Sequence, residues 1–247
     1  MTTVISSSTK PRPLAHPVDI LNSDTARLYT HVHPALVLSL YAFQFKSIVA
    51  DPVPALITTL IPLSILQIAY VAICLPPTGG TASAPISSDK RKLGEKKKAE
   101  KGKLEKEVGG KIIPAFLSLT VALVVAAPLL TATLVLFGAP LTTHHTHTLL
   151  AGAHISFLAT LPLVYVHGVD GSTWKDIIAL LRPVDEINGA MIGTVVGAWL
   201  GAIPIPLDWD REWQKWPVTI VTGAYAGYAF GKLIGGTVAK GKKIMFE

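Results

Sequence analysis

Histidines are the first candidates for chemistry in this chain, because four of them fall within residues 144–154. His144, His145 and His147 precede an apolar stretch, and His154 follows two helical turns later. A protein zinc site needs three or four converging ligands, each oriented by further groups. No cysteine or carboxylate accompanies these histidines. We therefore predict no metal and no cofactor, and we favour a polar interfacial loop plus one histidine that faces protein.

Acids form the second candidate group, in the short loop 204–216. Asp208, Asp210 and Glu212 share this loop with two basic residues and three tryptophans. Paired acids can perform general acid–base catalysis, whereas tryptophans anchor helix ends at the level of the lipid headgroups. We favour the anchoring role and predict no catalytic residue. The residues predicted to form a lumenal loop against a partner or lipid headgroups are Asp208, Trp209, Asp210, Arg211, Trp213 and Trp216.

The sequence motifs of known membrane enzymes are incomplete. Asp170-Gly171 resembles the start of the CDP-alcohol phosphatidyltransferase signature, but the spaced aspartates that should follow are missing. Arg182-Pro183 matches one part of the lipid phosphatase pattern, whose Ser-Gly-His part does not occur. There is also no nucleotide-binding loop, no GxSxG and no HExxH. These motifs do not indicate an enzyme.

Composition indicates a multi-pass membrane protein. Half of the 247 residues are hydrophobic, 15% are charged, and the mean hydropathy is +0.47. The net charge is +6, and the positive residues are clustered. Ten of the 22 lysines and arginines lie between Lys90 and Lys111, a stretch that contains no aromatic residue. This pattern favours a solvated loop near anionic lipids over nucleic-acid binding. The single cysteine, Cys74, excludes an intramolecular disulfide.

Apolar segments predict an all-α membrane domain over residues 31–247 with six transmembrane helices. The predicted spans are 33–50, 54–75, 112–137, 148–166, 185–203 and 217–238. Residues 1–30 are predicted to be a disordered cytosolic arm, and 76–110 a lysine-rich cytosolic loop. Prolines at positions 62, 128 and 162 predict kinks within spans.

The distribution of positive charge supports six spans with both termini in the cytosol. Six spans place 19 of the 22 lysines and arginines on one side, which matches the positive-inside rule. In this interpretation Lys232 begins a basic tail, and the spans contain almost no charge. Sparse intramembrane charge weakens the hypothesis of an ion-coupled transporter.

Glycines recur at every fourth position in the last two predicted spans. The two stripes consist of Gly189, Gly193, Gly197 and Gly201, and of Gly223, Gly227, Gly231 and Gly235. Each glycine costs a water-soluble helix about 1 kcal/mol relative to alanine, but in a bilayer small residues let helices approach closely. The stripes predict a tightly packed transmembrane hairpin or a partner interface. We expect leucine to disrupt this surface and alanine to be much milder.

A resemblance to a known family covers about 55 residues in the same region. Its most specific part is GAWLGA followed by P-x-P-L-D-W-D-R-x-W-Q-x-W-P, between Gly197 and Pro217. Arg182-Pro183-x-x-Glu186 precedes this part, and Gly223-Ala224 follows it. Together these residues resemble the signature of the PIG-F family, the fungal GPI-anchor biosynthesis proteins.

The resemblance implies a membrane protein of the endoplasmic reticulum. Family members act as non-catalytic, stabilising subunits of the large GPI ethanolamine-phosphate transferases, the second or third enzyme of the pathway, which add phosphoethanolamine to GPI mannoses. Membrane lipids, and the GPI glycolipid itself, are further expected contacts, and nucleic acid is not. Two alternatives stay open: a lipid-acting membrane enzyme that uses Asp208, Asp210 and the histidines, and a lipid transporter with proline-kinked helices.

The predicted topology can be tested by glycosylation mapping, because the chain contains no Asn-x-Ser/Thr sequon. A sequon with a spacer, inserted into the 76–110 loop, should stay unmodified in microsomal membranes if that loop is cytosolic. The same insert in the 204–216 loop should acquire a glycan. Efficient glycosylation at 76–110 would contradict the topology.

Overall fold

The protein is a bundle of α-helices. A computed structural model describes residues 15–78 and 109–244, and within these ranges the chain contains eight α-helices and no β-strand. The all-α prediction is therefore confirmed. The helices are α1 (Asp24–Ala50), α2 (Pro52–Cys74), α3 (Gly109–Leu136), α4 (His145–Ala159), α5 (Leu161–His167), α6 (Gly171–Ile178), α7 (Glu186–Leu200) and α8 (Val218–Gly236).

The first helix begins earlier than the sequence predicted. The Ser23 hydroxyl accepts a hydrogen bond from the amide of Ala26 at 3.1 Å, so a serine cap starts α1 at Asp24. Residues 24–30, which we assigned to the disordered arm, are helical for this reason. The rest of the arm up to residue 14, and residues 79–108 of the lysine-rich loop, lie outside the described residues.

Prolines shape the helices near the positions where kinks were predicted. A π-helical turn, Ala122–Ala126, lies directly before Pro128 in α3. Proline has no amide hydrogen to donate to the carbonyl four residues earlier, which disturbs the regular α-helical bonding. Pro162 follows the break between α4 and α5, and these two helices are bent by 42° relative to each other.

Helix length and composition identify three or four candidate membrane crossings among the described helices. Among the described helices, α1, α2 and α3 are long and apolar enough to cross a membrane, and α4 with α5 makes a fourth if the bent pair is one span. The last two predicted spans correspond to α7, with 15 residues, and α8, with 19. About 20 residues are needed to cross a bilayer. Six spans stay a prediction.

The described parts of the two terminal segments, residues 15–23 and 237–244, lie at the same end of the bundle. Lys240 near the C-terminus pairs with Asp19 near the N-terminus, with 2.8 Å between Nζ and Oδ1. The amide of Val18 donates to the carboxylate of Asp185 at 2.9 Å, which ties the N-terminal segment to the start of α7.

The loop 204–216 lies at the opposite end. Lys215 Nζ donates to the carbonyl of Ala50, the last residue of α1, at 3.3 Å. The indole of Trp216 donates to the hydroxyl of Thr148, near the start of α4, at 3.1 Å. The ends of α1 and α7 and the starts of α4 and α8 therefore meet around this loop.

Candidate functional site

The two glycine stripes face each other in an antiparallel helix pair. Gly189 of α7 meets Gly231 and Gly235 of α8, and Gly197 meets Gly223 and Gly227. The other predicted glycines continue the same interface in register; they are Gly193, opposite Gly227 and Gly231, and Gly201, opposite the backbone of Thr219 and Ile220. The structure thus brings all eight predicted glycines into one contact between α7 and α8.

This contact leaves no room for a single extra carbon atom. A Cβ built on Gly193 would touch the carbonyl oxygen of Gly227 and lie 2.7 Å from Cα of Gly231. A Cβ on Gly227 would touch the carbonyl oxygen of Gly193 and lie 2.9 Å from Cα of Gly197. Because the obstructing atoms belong to the backbone, no side-chain rotation relieves the overlap. Alanine would therefore separate the helices too, and from this geometry we expect alanine as well as leucine to be disruptive.

A buried ion pair fastens one end of the hairpin. Lys232 of α8 lies 3.1 Å from the carboxylate of Glu186 at the start of α7, and its side chain is only 3% exposed. The same carboxylate oxygen accepts a 2.6 Å hydrogen bond from Thr30 of α1 and a 3.3 Å hydrogen bond from Tyr70 of α2. The Lys232 ammonium also lies 3.4 Å from the centre of the Tyr70 ring. Four helices meet at this pair.

The pair corrects two statements made from the sequence. Lys232 does not belong to a solvated basic tail, and a charge pair is buried between the helices. Positively charged residues inside membrane spans generally face the bundle interior and pair there. The sequence contained the signal, since Lys232 falls within the predicted span 217–238 and Glu186 within 185–203. The partnership itself required knowing how α7 and α8 cross.

The four histidines that were considered as metal ligands do not come together at one site. His154 is fully buried; its Nε2 lies 3.2 Å from the carbonyl of Leu56, and its Nδ1 lies 2.8 Å from the hydroxyl of Tyr225. A carbonyl only accepts, so Nε2 carries the hydrogen and the Tyr225 hydroxyl donates to Nδ1. His154 therefore joins α4 to α2 and α8, whereas His144, His145 and His147 stay at the start of α4.

The acids of the loop 204–216 are exposed and spread along it. Asp208, Trp209, Asp210 and Arg211 all face outward. Trp213 packs partly against the core, and Trp216 is held by its bond to Thr148. In the described residues, no three histidine, cysteine, aspartate or glutamate side chains group as a metal site would require.

Gln214, which the sequence interpretation did not single out, organises this loop. Its carboxamide nitrogen donates to the carbonyls of Pro204 and Leu207, both at 2.8 Å, and its oxygen accepts from the amide of Arg211 at 2.8 Å. Three backbone groups of the loop are thereby satisfied by one side chain. The glutamine lies within the Q-x-W-P part of the family signature.

Asp170, the residue that resembled a phosphatidyltransferase motif, caps a helix. Its Oδ2 accepts from the Ser172 hydroxyl at 2.5 Å and from the amide of Thr173 at 2.8 Å, at the start of α6. These hydrogen bonds, chiefly that of Ser172, lower the pKa of Asp170 to about 2. The aspartate thus has a structural role in the loop before α6.

The site therefore defines a class of protein: a helical membrane protein whose small and polar residues serve helix packing. Comparison with known proteins identifies the family. A sequence profile described as GPI biosynthesis protein family Pig-F matches residues 32–236. The chain belongs to this family, and the resemblance seen in the sequence is confirmed. No solved structure matches the chain.

Curated fungal relatives carry the same description, glycosylphosphatidylinositol anchor biosynthesis protein 11. The Aspergillus fumigatus protein is 44% identical over 247 residues, which cover 90% of this chain and 83% of that protein. The Neurospora crassa protein is 44% identical and covers 92% of this chain and 80% of its own length. The Yarrowia lipolytica protein is 35% identical, with 95% and 92% covered. The chain is thus a GPI-anchor biosynthesis protein by family.

Alanine at Gly193 should disrupt the hairpin. Because the new Cβ overlaps the α8 backbone, we expect a loss of at least about 1–3 kcal/mol, the cost of overpacked cores. Thermal unfolding of the detergent-purified chain measures this loss. The matched control is Gly110→Ala in α3, where a Cβ meets nothing within 4 Å, so stability should hold or rise by up to about 1 kcal/mol. Equal stability of both variants would contradict the close contact.

The ion pair can be tested by a double-mutant cycle. Lys232→Met leaves the carboxylate of Glu186 buried without its cation, which should cost about 3–5 kcal/mol. Glu186→Gln is measured alone and also combined with Lys232→Met, where it removes the uncompensated charge and keeps an acceptor for Thr30, so the double variant should regain most of the stability. Thermal unfolding in detergent again provides the measurement. Additive losses would show that the two side chains do not act as a pair.

Proposed function

We propose that this chain is a non-catalytic, stabilising membrane subunit of GPI ethanolamine-phosphate transferases, the enzymes that add phosphoethanolamine to GPI mannoses. It acts in the membrane of the endoplasmic reticulum. The transferase carries the chemistry in its own domain, and this chain holds the transferase's membrane part in place.

The observation that carries the proposal is that α7 and α8, which flank the family signature, use their glycines and their ion pair to pack against each other. The glycines between Gly189 and Gly235 form one helix contact, and Glu186 and Lys232 pair within it. The candidate catalytic residues do not form one site. His154 is hydrogen-bonded to Leu56 and Tyr225 inside the bundle, and the acids of the loop 204–216 are exposed at its end. Such an arrangement suits a rigid scaffold.

The proposed orientation has six crossings with both termini in the cytosol. In its support, the Lys240–Asp19 pair places the described terminal segments at one end of the bundle, as an even number of crossings requires. In addition, α7 and α8 cover each other's backbone, so a hairpin that is poor as two separate spans can enter the bilayer as a pair. The loop 204–216 then faces the lumen, where the proposed partner's catalytic domain lies.

The proposal is tested by removing the candidate catalytic groups and following the partner. The variant carrying His144→Ala, His145→Ala and His147→Ala, and separately Asp210→Ala, should keep pathway activity near normal. The tagged full chain should recover a large GPI ethanolamine-phosphate transferase from native membranes, identified by mass spectrometry. Gly193→Ala, as the disruptive counterpart, should lose both the transferase and pathway activity.

A catalytic role would give the opposite pattern. Activity would fall by orders of magnitude in the histidine or aspartate variant while the chain stays abundant and bound to its partner. That result, or GPI-directed activity of the purified chain alone, would replace the subunit with a lipid-acting enzyme. Failure to recover any transferase from native membranes would overturn the partnership.

A further inference from the structure

A long groove lies on the outside of the bundle, between α1 and the α7–α8 hairpin. Its volume is about 950 Å³. One wall is formed by α1, with Leu38 and Phe45, and the other by α8, with Phe230. The floor contains Gly223 and Gly227 of α8 beside Gly197 and Gly201, so one open edge of the glycine contact borders the groove.

The groove carries no charge. Among the described residues that line it there is no aspartate, glutamate, lysine or arginine, and His31 at one end is the single titratable side chain. The segments of the chain outside the described residues do not suit such a surface. Residues 79–108 contain nine lysines and arginines, and residues 1–14 contain Lys10, Arg12 and a run of serines. Charge complementarity therefore requires an apolar occupant from outside this chain.

The length of the groove distinguishes a helix from a lipid. Along α1 it runs from His31 to Phe45, about 21 Å at 1.5 Å per residue. The part from position 33 to Phe45 lies inside the predicted span 33–50 and is about 18 Å long. One leaflet of a bilayer contributes about 15 Å of the roughly 30 Å hydrocarbon core. The groove therefore crosses the midplane of the membrane, which an acyl chain of one leaflet does not do and a transmembrane helix does.

The cross-section and one polar group agree with a helix. The volume spread over that length gives about 45 Å², roughly half the section of a helix about 10 Å wide. One face of a helix would enter, and the other would stay free for the rest of its own protein. Thr219, which lines the groove and is only 6% exposed, has a hydroxyl without a hydrogen-bond partner among the described residues. Hydroxyls of this kind bond across helix interfaces in membranes.

We infer that this groove holds one transmembrane helix of the partner protein. The occupant is an uncharged helix that places bulky apolar side chains over Gly223 and Gly227 and an acceptor group beside Thr219. The inference rests on the proposed function for the identity of the partner, the ethanolamine-phosphate transferase. The groove thereby becomes the docking surface of the subunit, separate from the loop 204–216.

Site-specific photo-crosslinking in native membranes tests the docking surface. A photoreactive phenylalanine analogue is placed at Ala226 of α8 or at Ala35 of α1, both exposed positions in the groove. The matched control is the same analogue at Ala132, an exposed alanine of α3 away from the groove. We expect Ala226 and Ala35 to crosslink to one apolar membrane segment of the transferase, identified by peptide mass, at least tenfold more than Ala132. Recovery of the transferase by the tagged chain is measured separately.

The separate measurements distinguish the two proposals. If the transferase is recovered but crosslinks from Ala132 rather than from the groove, the docking surface is wrong and the proposed function stands. Crosslinks from the groove to lipid, or to a second copy of this chain, likewise overturn the docking surface. A further outcome is that the groove instead crosslinks to a membrane helix of a different identified protein while no transferase is recovered. That result supports the groove as a docking surface for a helix and overturns the proposed function.

Discussion

The bundle depends on one backbone-to-backbone contact, the crossing of α7 and α8. In this crossing carbonyl oxygens and Cα atoms of one helix lie where side chains of the other would normally stand. Two helices approach that closely only where side chains are absent at every fourth residue. The glycines that would destabilise either helix in water are thus the condition for the pair in a membrane.

Polar groups then fix the position of the hairpin among its neighbours. The carboxylate of Glu186 accepts hydrogen bonds from three other helices. The donors are Thr30 of α1, Tyr70 of α2 and Lys232 of α8. Nearer the start of α8, the hydroxyl of Tyr225 is hydrogen-bonded to His154. In a low-dielectric interior such buried groups are costly unless paired. These pairings therefore specify which helices meet and how they are positioned along their axes. The packing of apolar side chains is less specific in both respects.

The outer surface of the hairpin differs from its inner surface. Inside, the glycines of α7 and α8 pack against one another's backbone. Outside, the same small residues border an uncharged groove between α1 and the α7–α8 hairpin. The proposed stabilising role rests on these two features, the internal pairing of polar residues and the apolar groove that faces outward. The loop 204–216, held together by Gln214, adds a second exposed surface at one end.

The sequence by itself determined the helical class, the approximate helices, the glycine stripes and the family. These features are local, since hydropathy, a four-residue period and the signature between Gly197 and Pro217 can each be read along a single segment. The tertiary structure decided which surfaces meet. That the stripes face each other, that Lys232 pairs with Glu186 across 46 positions, and that His154 is bonded to Tyr225 all follow from how the helices cross. Periodicity along one helix contains no information about the angle and register at which another helix packs against it, and those two quantities place the buried charges.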